Sequence, residues 1–457
     1  MREAHAHIAA FGQSLTMPSV AACASLGECL DLVREAASHV KAGEWVRLLG
    51  ARVEGWPERR WPTATELDRA APHRPCAIMS FDHHACAANR AAMRAGGVRP
   101  GVPVPPNGVV CVDEHGEATG LLLEQAAYQV WGAAPEPTRA QSRENVRRAL
   151  GALRELGYVE VHDLHSQEWL GSVLADLERN GELPMRRVLL YPPVAKLVEV
   201  CRVRARWESE VVRLAGGKLF ADGTLNSRTA LMLSPYVEPL AGHPCGQAMA
   251  TPSEIEDALR LCESLGMHLA VHAIGDGAVR MVLDAIERVG CGGGRSRAQV
   301  AHRIEHCELI DGADVGRFAA LGVVCSVQPC HLLADVEVLT RQLPHRLDRV
   351  LPLRELIDSG AEVWFGSDVP IVRADAGDSV RAAVERRREG MAQGEAIGWG
   401  QRISEAEARA AFRFEGDLGR ARAGDLLPTG EAAVRSTRAG ELPVPPSSSP
   451  GPSLKLA

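Results

Sequence analysis

The chain has 457 residues, with 46% hydrophobic and 24% charged side chains and a formal net charge of -7. These are globular values, with enough chain for a sizeable core, and the acidic balance without a long basic run excludes nucleic acid as a natural partner. No apolar run reaches the roughly 18 residues of a membrane span. No signal-peptide core follows Met1-Arg2-Glu3-Ala4-His5, and the twelve cysteines are scattered without a Cys-x-x-Cys pair. A cytoplasmic protein with reduced thiols, acting on a small molecule, is the expectation.

In chain order, the first strand-like segment is Glu3–Ile8. A long insertion over residues 10–150 follows, with a helical stretch at Leu26–Val40, a turn-rich patch at Gly55–Thr65 and a strand-like piece at Cys76–Phe81. A β-hairpin is predicted over Val109–Leu123, turning at Asp113-Glu114-His115-Gly116. Short apolar runs then recur at Leu156–Asp163, Arg186–Tyr191, Gly217–Asp222, His268–Ala273, Val300–His306, Val323–Gln328 and Glu362–Asp368. Amphipathic helices such as Ser253–Leu265, Ala278–Arg288 and Ala313–Leu321 separate several of them. Alternating strands and helices predict an α/β protein with a parallel sheet, and eight strands predict a (β/α)8 TIM-type barrel with a long insertion after strand 1. One domain is expected to residue 425, and 426–457 to be a vestigial β-segment with a disordered Pro/Ser-rich tail, Pro443 to Pro452.

Polar residues gather at the C-terminal ends of these strands, where such barrels keep their active sites. His5 and His7 end the first, Lys218 lies in the fourth, His272 ends the fifth, His306 the sixth and Asp368 the eighth. Residues i and i+2 of a strand face one side, so His5 and His7 point together and suit a divalent metal, zinc first. An exposed N-terminal strand or an expression tag would give the same pair. Asp368 is either the cap of the next helix or a catalytic group. Lys218 sits in an apolar strand, where a charged ammonium is costly. It either forms a salt bridge with Asp222 or, as a neutral amine, a CO2-derived carbamate able to bridge two cations. Arg228 could meet a substrate carboxylate or form a salt bridge.

Taken together, His5-x-His7, Lys218-Leu-Phe-Ala-Asp222-Gly223, Val271-His272-Ala-Ile-Gly-Asp276, His302-Arg-Ile-Glu-His306, Ser326-Val-Gln-Pro-x-His331 and Gly366-Ser-Asp368-x-Pro370 resemble the amidohydrolase 3 (YtcJ-like) family. That family includes N-substituted formamide deformylase-like enzymes. The resemblance runs to about Gly424 and takes in Gly43-Glu44-Trp45-Val46, Pro62-Thr63-x-x-x-Leu67-Asp68 and Asp82-x-His84-x-x-x-x-Asn89 of the insertion. It implies a centre of one or two divalent metals held by His5, His7, Lys218 (as a carbamate), His272, His306 and Asp368. It also implies His84, His162 and His331 either facing the substrate or lying just behind the ligands, with Asp222 and His302 carried in the family's motifs as further candidate substrate-binding residues. The activity implied is hydrolysis of an amide-type, non-peptide C–N bond by metal-activated water. Asp368 would act as base and then acid, and His331 or His162 would steady the oxyanion.

Three departures from the family bear on this. The chain as given opens two residues before Glu3, where the family usually carries a further segment, Ala423-Gly424-Asp425-Leu426-Leu427-Pro428 resembles the start of the returning β-segment, and Gly223-Thr224-Leu225-Asn226 stands where the family has Gly-Ser-Leu-Gly. The family's small β-domain is therefore expected to be largely missing, with a weak seam between the first and eighth strands that a homodimer or the metal would support. An ester or lactone hydrolase on the same centre, or a truncated inactive barrel, are the alternatives.

Overall fold

Strand β1 (Arg2–Ala6) begins the described part of the chain, which in this computed structural model is residues 1–413 apart from 82, 100–101, 107, 241 and 292–300. The expected returning segment, the Pro/Ser-rich tail, Asp82 and the Val300 end of the sixth predicted strand lie outside the described residues. The segment expected to be an insertion contributes β2 (Val46–Ala51), β3 (Cys76–Ser80), β4 (Ala85–Ala88), β5 (Gly108–Val112) and β6 (Ala118–Glu124). Then come β7 (Glu160–Leu164), β8 (Arg187–Tyr191), β9 (Val212–Leu214), β10 (Gly216–Phe220), β11 (His268–Ala273), β12 (Arg303–His306), β13 (Val324–Val327) and β14 (Val363–Phe365).

The architecture is α/β with parallel sheets. One sheet has the order β1-β7-β8-β9 and a second β10-β11-β12-β13-β14, both parallel throughout. Backbone hydrogen bonds link the two sheets at both seams. At one, Ala215 N–H donates to Leu190 O (3.0 Å) and Lys218 N–H to Pro192 O (2.8 Å). At the other, Asp368 N–H donates to His5 O (2.7 Å) and His7 N–H to Val369 O (2.9 Å). Buried Glu3 braces that second seam, its carboxylate accepting from the Ser367 N–H and hydroxyl, each at 2.9 Å.

Strand alternation sorts the side chains. Val161, Leu190, Leu269, Val271, Ile304, Cys325, Val327 and Phe365 join the main core with the helices. Their neighbours Ala270, Tyr191, Val324 and Trp364 form two small clusters of their own. The parity of these neighbours puts Glu160, His162, Lys218, His272, Arg303, Glu305 and Ser326 on the face turned away from the helices. Helices cover the other face. Pro252–Ser264 begins with a Thr251/Glu254 capping box and Pro252 in its first turn, and buries Ile255, Ala258, Leu259 and Cys262.

The segment between β1 and β7 has its own five-stranded mixed sheet, β2-β3-β4-β6-β5. The hairpin is as expected, with Asp113 Oδ1 accepting the His115 and Glu117 N–H groups at its turn. Strands β2 and β4 went unpredicted. β4 is Ala-Cys-Ala-Ala, poor in strand-forming side chains, and it is held by its buried place between β3 and β6. The fourth predicted strand also begins earlier, as two segments, β9 and β10, that share one run between the sheets. Among the described residues, no helix is long and apolar enough to cross a membrane, and no disulfide joins the twelve cysteines.

Candidate metal centre

The strand ends bring together residues that are far apart in sequence. Ligand atoms of His5, His306 and Asp368 all lie within 4.8 Å of one another, as do those of His306, Glu308 and His331. Asp368 Oδ1 is 2.9 Å from His7 Nε2 and 3.3 Å from His5 Nε2, and Oδ2 is 3.9 Å from His331 Nε2. The His272 ring is centred 4.4 Å from His306, and His306 4.8 Å from His5.

Two of these positions leave ordinary strand geometry. Strict alternation would send His306 to the helix side with Ile304, but its φ is 73°, and Asp368 has φ 63°. Non-glycine residues pay for this left-handed conformation, and such strain collects at functional sites. The close approach of the segment after β14 to β1 also needs Gly366, where an added Cβ would lie 2.6 Å from the His5 nitrogen and 2.7 Å from Glu3 Oε1.

The electrostatics suit a cation. Burial holds His5 at about 4 and keeps His272 and His306 well below the usual imidazole range, so these rings are neutral and can offer lone pairs. Lys218 is 2% exposed, and its Nζ has no hydrogen-bond partner among the described residues. Burial lowers it to about 8, against the raising pull of Glu305 and Asp368. The salt bridge with Asp222 is not formed, because the Asp222 oxygens accept from the N–H groups of Ile274 (3.0 Å), Gly275 (2.9 Å) and Leu231 (2.8 Å). Three backbone donors thus hold the carboxylate that was expected to meet substrate. His306 Nδ1 and His331 Nε2 are also buried without hydrogen-bond partners. Neutral imidazoles, a carboxylate and an orphaned buried amine at one place are a donor set that a divalent cation fits.

A polar network orients the cluster from below. Glu305 Oε2 is 2.7 Å from His5 Nδ1. Fully buried Arg303 pairs with Glu305 and donates to Ala4 O (2.6 Å), Ser326 Oγ (2.8 Å) and His162 Nδ1 (2.8 Å). His162 Nε2 meets Glu160 Oε1 at 2.7 Å, so both its ring nitrogens are engaged. The ring thus takes the second of its two expected places, in the network behind the ligands, where it is not free to steady the oxyanion. The expectation for His302 is corrected. It precedes β12, at the opposite end from His306, where its Nδ1 accepts from Leu269 N–H (2.9 Å) and its Nε2 meets Glu263 (2.8 Å).

His331 and His84 do reach the cluster. Glu308 lies 3.1 Å from His331 Nδ1. Burial opposes the charged form of His331, but Glu308 and Asp368 outweigh it and raise the pKa to about 9. His84, from the insertion, is centred 5.7 Å from His272, and its Nδ1 is 2.7 Å from Glu124 Oε2. Arg228 donates to Glu238 O (2.9 Å) and lines a neighbouring cavity. Arg303, Glu124, Glu305 and Glu308 were missed in the sequence. Glu305 and Glu308 flank His306 and could have been found there, whereas Glu124 carries no local signal.

The amidohydrolase family sequence profile matches residues 1–416. The chain belongs to the amidohydrolase family. It is 28% identical over 397 residues to YtcJ of Bacillus subtilis (strain 168), covering 84% of this chain and 72% of that protein. It is 26% identical over 399 residues to the N-substituted formamide deformylase of Arthrobacter pascens, again covering 84% of this chain and 72% of the relative. Among solved structures, a metal-dependent hydrolase from Pyrococcus horikoshii OT3 superposes with a TM-score of 0.69 at 26% identity, over 90% of this chain and 79% of that one. As a family member this chain is a hydrolase that works with a divalent metal.

Proposed function

We propose that this amidohydrolase cleaves an amide-type, non-peptide C–N bond of a small molecule, using one or two divalent cations, zinc first among them. His5, His7, Lys218, His272, His306 and Asp368 would hold them. The observation that carries this reading is the unpartnered Lys218 Nζ beside neutral histidines and Asp368. The deformylase relative, named for a C–N substrate, supports the bond class. The seam hydrogen bonds support reading the two parallel sheets as one (β/α)8 barrel with the ligands at its mouth. Twelve unpaired cysteines support a reducing, cytoplasmic compartment.

When bound, the cation supplies Lewis acidity and acidifies water. The rest falls to the chain. Neutral Lys218 Nζ adds to the carbon of CO2, forming an N–C bond as one C=O π pair moves to oxygen and one proton leaves the nitrogen for solvent, which gives an anionic carbamate where an ammonium would repel a cation. Asp368 takes a proton from the attacking water and returns it to the departing nitrogen. His331, fixed by Glu308, stabilises the charge that develops on the carbonyl oxygen. Glu305 holds the His5 ring so that Nε2 faces Asp368.

The test is elemental analysis of the purified protein with a panel of N-formyl and N-acyl amines, esters and lactones. Bound divalent metal and chelator-sensitive amide hydrolysis are expected. Turnover of esters alone would move the activity to the oxygen analogues, and metal without any turnover would make the chain an inactive relative.

A further inference from the structure

A cavity of about 680 Å³ lies between the insertion and the loop after β10. It adjoins the metal cluster at three points. Phe81 and Ala85 of its wall flank His84, Leu333 and Ala334 follow His331, and Asn226 to Arg228 follow Gly223, whose carbonyl lies 3.1 Å from His272 Nε2.

The wall is apolar at Trp61, Phe81 and Leu123 and strongly basic elsewhere, with Arg52, Arg59, Arg60, Arg228 and Arg388 facing only Glu54 and Glu337. Some of that charge is spoken for, since Arg60 pairs with Glu66 and Arg388 with Glu337. Arg228 forms no ion pair among the described residues, and its one side-chain hydrogen bond, to Glu238 O, engages one of five guanidinium donors. Beside it, Ser227 is 7% exposed and its hydroxyl has no hydrogen-bond partner. A buried hydroxyl is rarely left unpaired, because its desolvation then goes uncompensated. Adjacent Ser227 and Arg228, both in the cavity wall, therefore offer donors to an acceptor that enters it, the guanidinium directly and the buried hydroxyl once its side chain turns toward the guest. The two glutamates in the same wall offset part of the arginine charge and leave it net positive, which suits an anionic guest.

We propose that this cavity binds the organic carboxylate end of the substrate, with Ser227 Oγ and the Arg228 guanidinium as donors and Phe81 and Trp61 against its apolar body. The assignment rests on the hydrolytic reading above. It narrows that reading to amides whose acyl or amine part carries a carboxylate at a distance from the scissile bond.

The experiment measures binding of 3-phenylpropionate, 3-phenylpropan-1-ol and phenyl phosphate to the metal-loaded full chain by calorimetry, in the wild type, Ser227→Ala, Arg228→Gln and Arg228→Lys. The carboxylate is expected to bind at least about tenfold tighter than the alcohol, and Arg228→Gln to lose most of that difference. Arg228→Lys should retain part of it, and added salt should weaken it. Thermal melts identify any variant that fails to fold, and the remaining variants then decide. Carboxylate binding that is unchanged in every folded variant and disappears with the metal would overturn the proposal, as would a preference for phenyl phosphate. In parallel, 4-(2-formamidoethyl)benzoate and N-formylphenethylamine, which differ only in the distant carboxylate, are compared as substrates, and Arg228→Gln should reduce the preference for the acid about tenfold or more. If Arg228-dependent binding holds while neither amide is cleaved, the cavity assignment stands and the hydrolytic reading falls. If both amides are cleaved with no Arg228-dependent preference, the reverse is true.

Discussion

Glu305 Oε2 lies 2.7 Å from Nδ1 of His5, which leaves the opposite ring nitrogen 3.3 Å from Asp368. Carboxylates behind metal-binding histidines fix the ring and raise its basicity. Glu305→Gln should therefore weaken metal binding about 10–100-fold in chelator competition. It also deprives buried Arg303 of its anion, so urea unfolding should report a loss on the order of 3 kcal/mol. Unchanged metal affinity would show that the contact does not tune the ligand.

The strands that carry this pair were readable because each is a short apolar run between turns, and β11 was placed at its observed bounds, His268–Ala273. The grouping of His5, His306 and Asp368 was readable because strand ends in such sheets converge. The second layer was harder. Arg303 and Glu305 look in sequence like ordinary charged neighbours, and only the pleat puts both on the helix-averted face. The sequence does not choose between the two places of His162, and it misplaces His302, for the same reason, since it gives no hint of Glu160 and Glu263 waiting for their nitrogens. Glu124 reaches His84 from a strand 40 residues away, and no local pattern marks such a contact.

Lys218→Met removes a buried amine that has no hydrogen-bond partner among the described residues and only the Phe220 ring, centred 4.8 Å away, beside it, so the fold should survive, with thermal stability equal to or above that of the wild type. Metal content should nevertheless fall, because the carbamate can no longer form. Full metal occupancy in this variant would remove Lys218 from the ligand set. Enrichment with 13C-bicarbonate and NMR of the wild type supplies the direct check.

For Asp368→Asn, circular dichroism should be unchanged while amide turnover falls by at least about 100-fold, the usual scale of a lost proton shuttle. Activity near the wild-type level would assign the base to another residue.

At Gly366 the added methyl of an alanine would meet the backbone nitrogen of His5 at 2.6 Å, and neither can yield without moving a strand. Gly366→Ala should cost about 1–3 kcal/mol and speed amide exchange at His5 and Ser367 more than at β11. Uniform loosening of the whole molecule would argue against a local seam.

Stripping the metal should loosen the same seam. His5, His7 and Asp368 lie on its two sides, and a ligand at about a hundred times its Kd stabilises the state that binds it by about 2.7 kcal/mol. Hydrogen exchange of β1 and β14 should quicken in the metal-free protein and recover on adding Zn2+. Equal protection in both forms would make the seam self-sufficient.

His5 and Glu305 are separated by 300 residues and Glu3 and Ser367 by 364. On the ribosome, therefore, the histidine pair is made long before the groups that position it. A growing chain carries two imidazoles that can seize stray cations, but it has no Arg303–Glu305 support, no Asp368 and no closed seam. The proposed centre is thus completed only when nearly all of the described chain has been synthesised, and a chain cut short before residue 368 lacks both Asp368 and its seam hydrogen bond to His5.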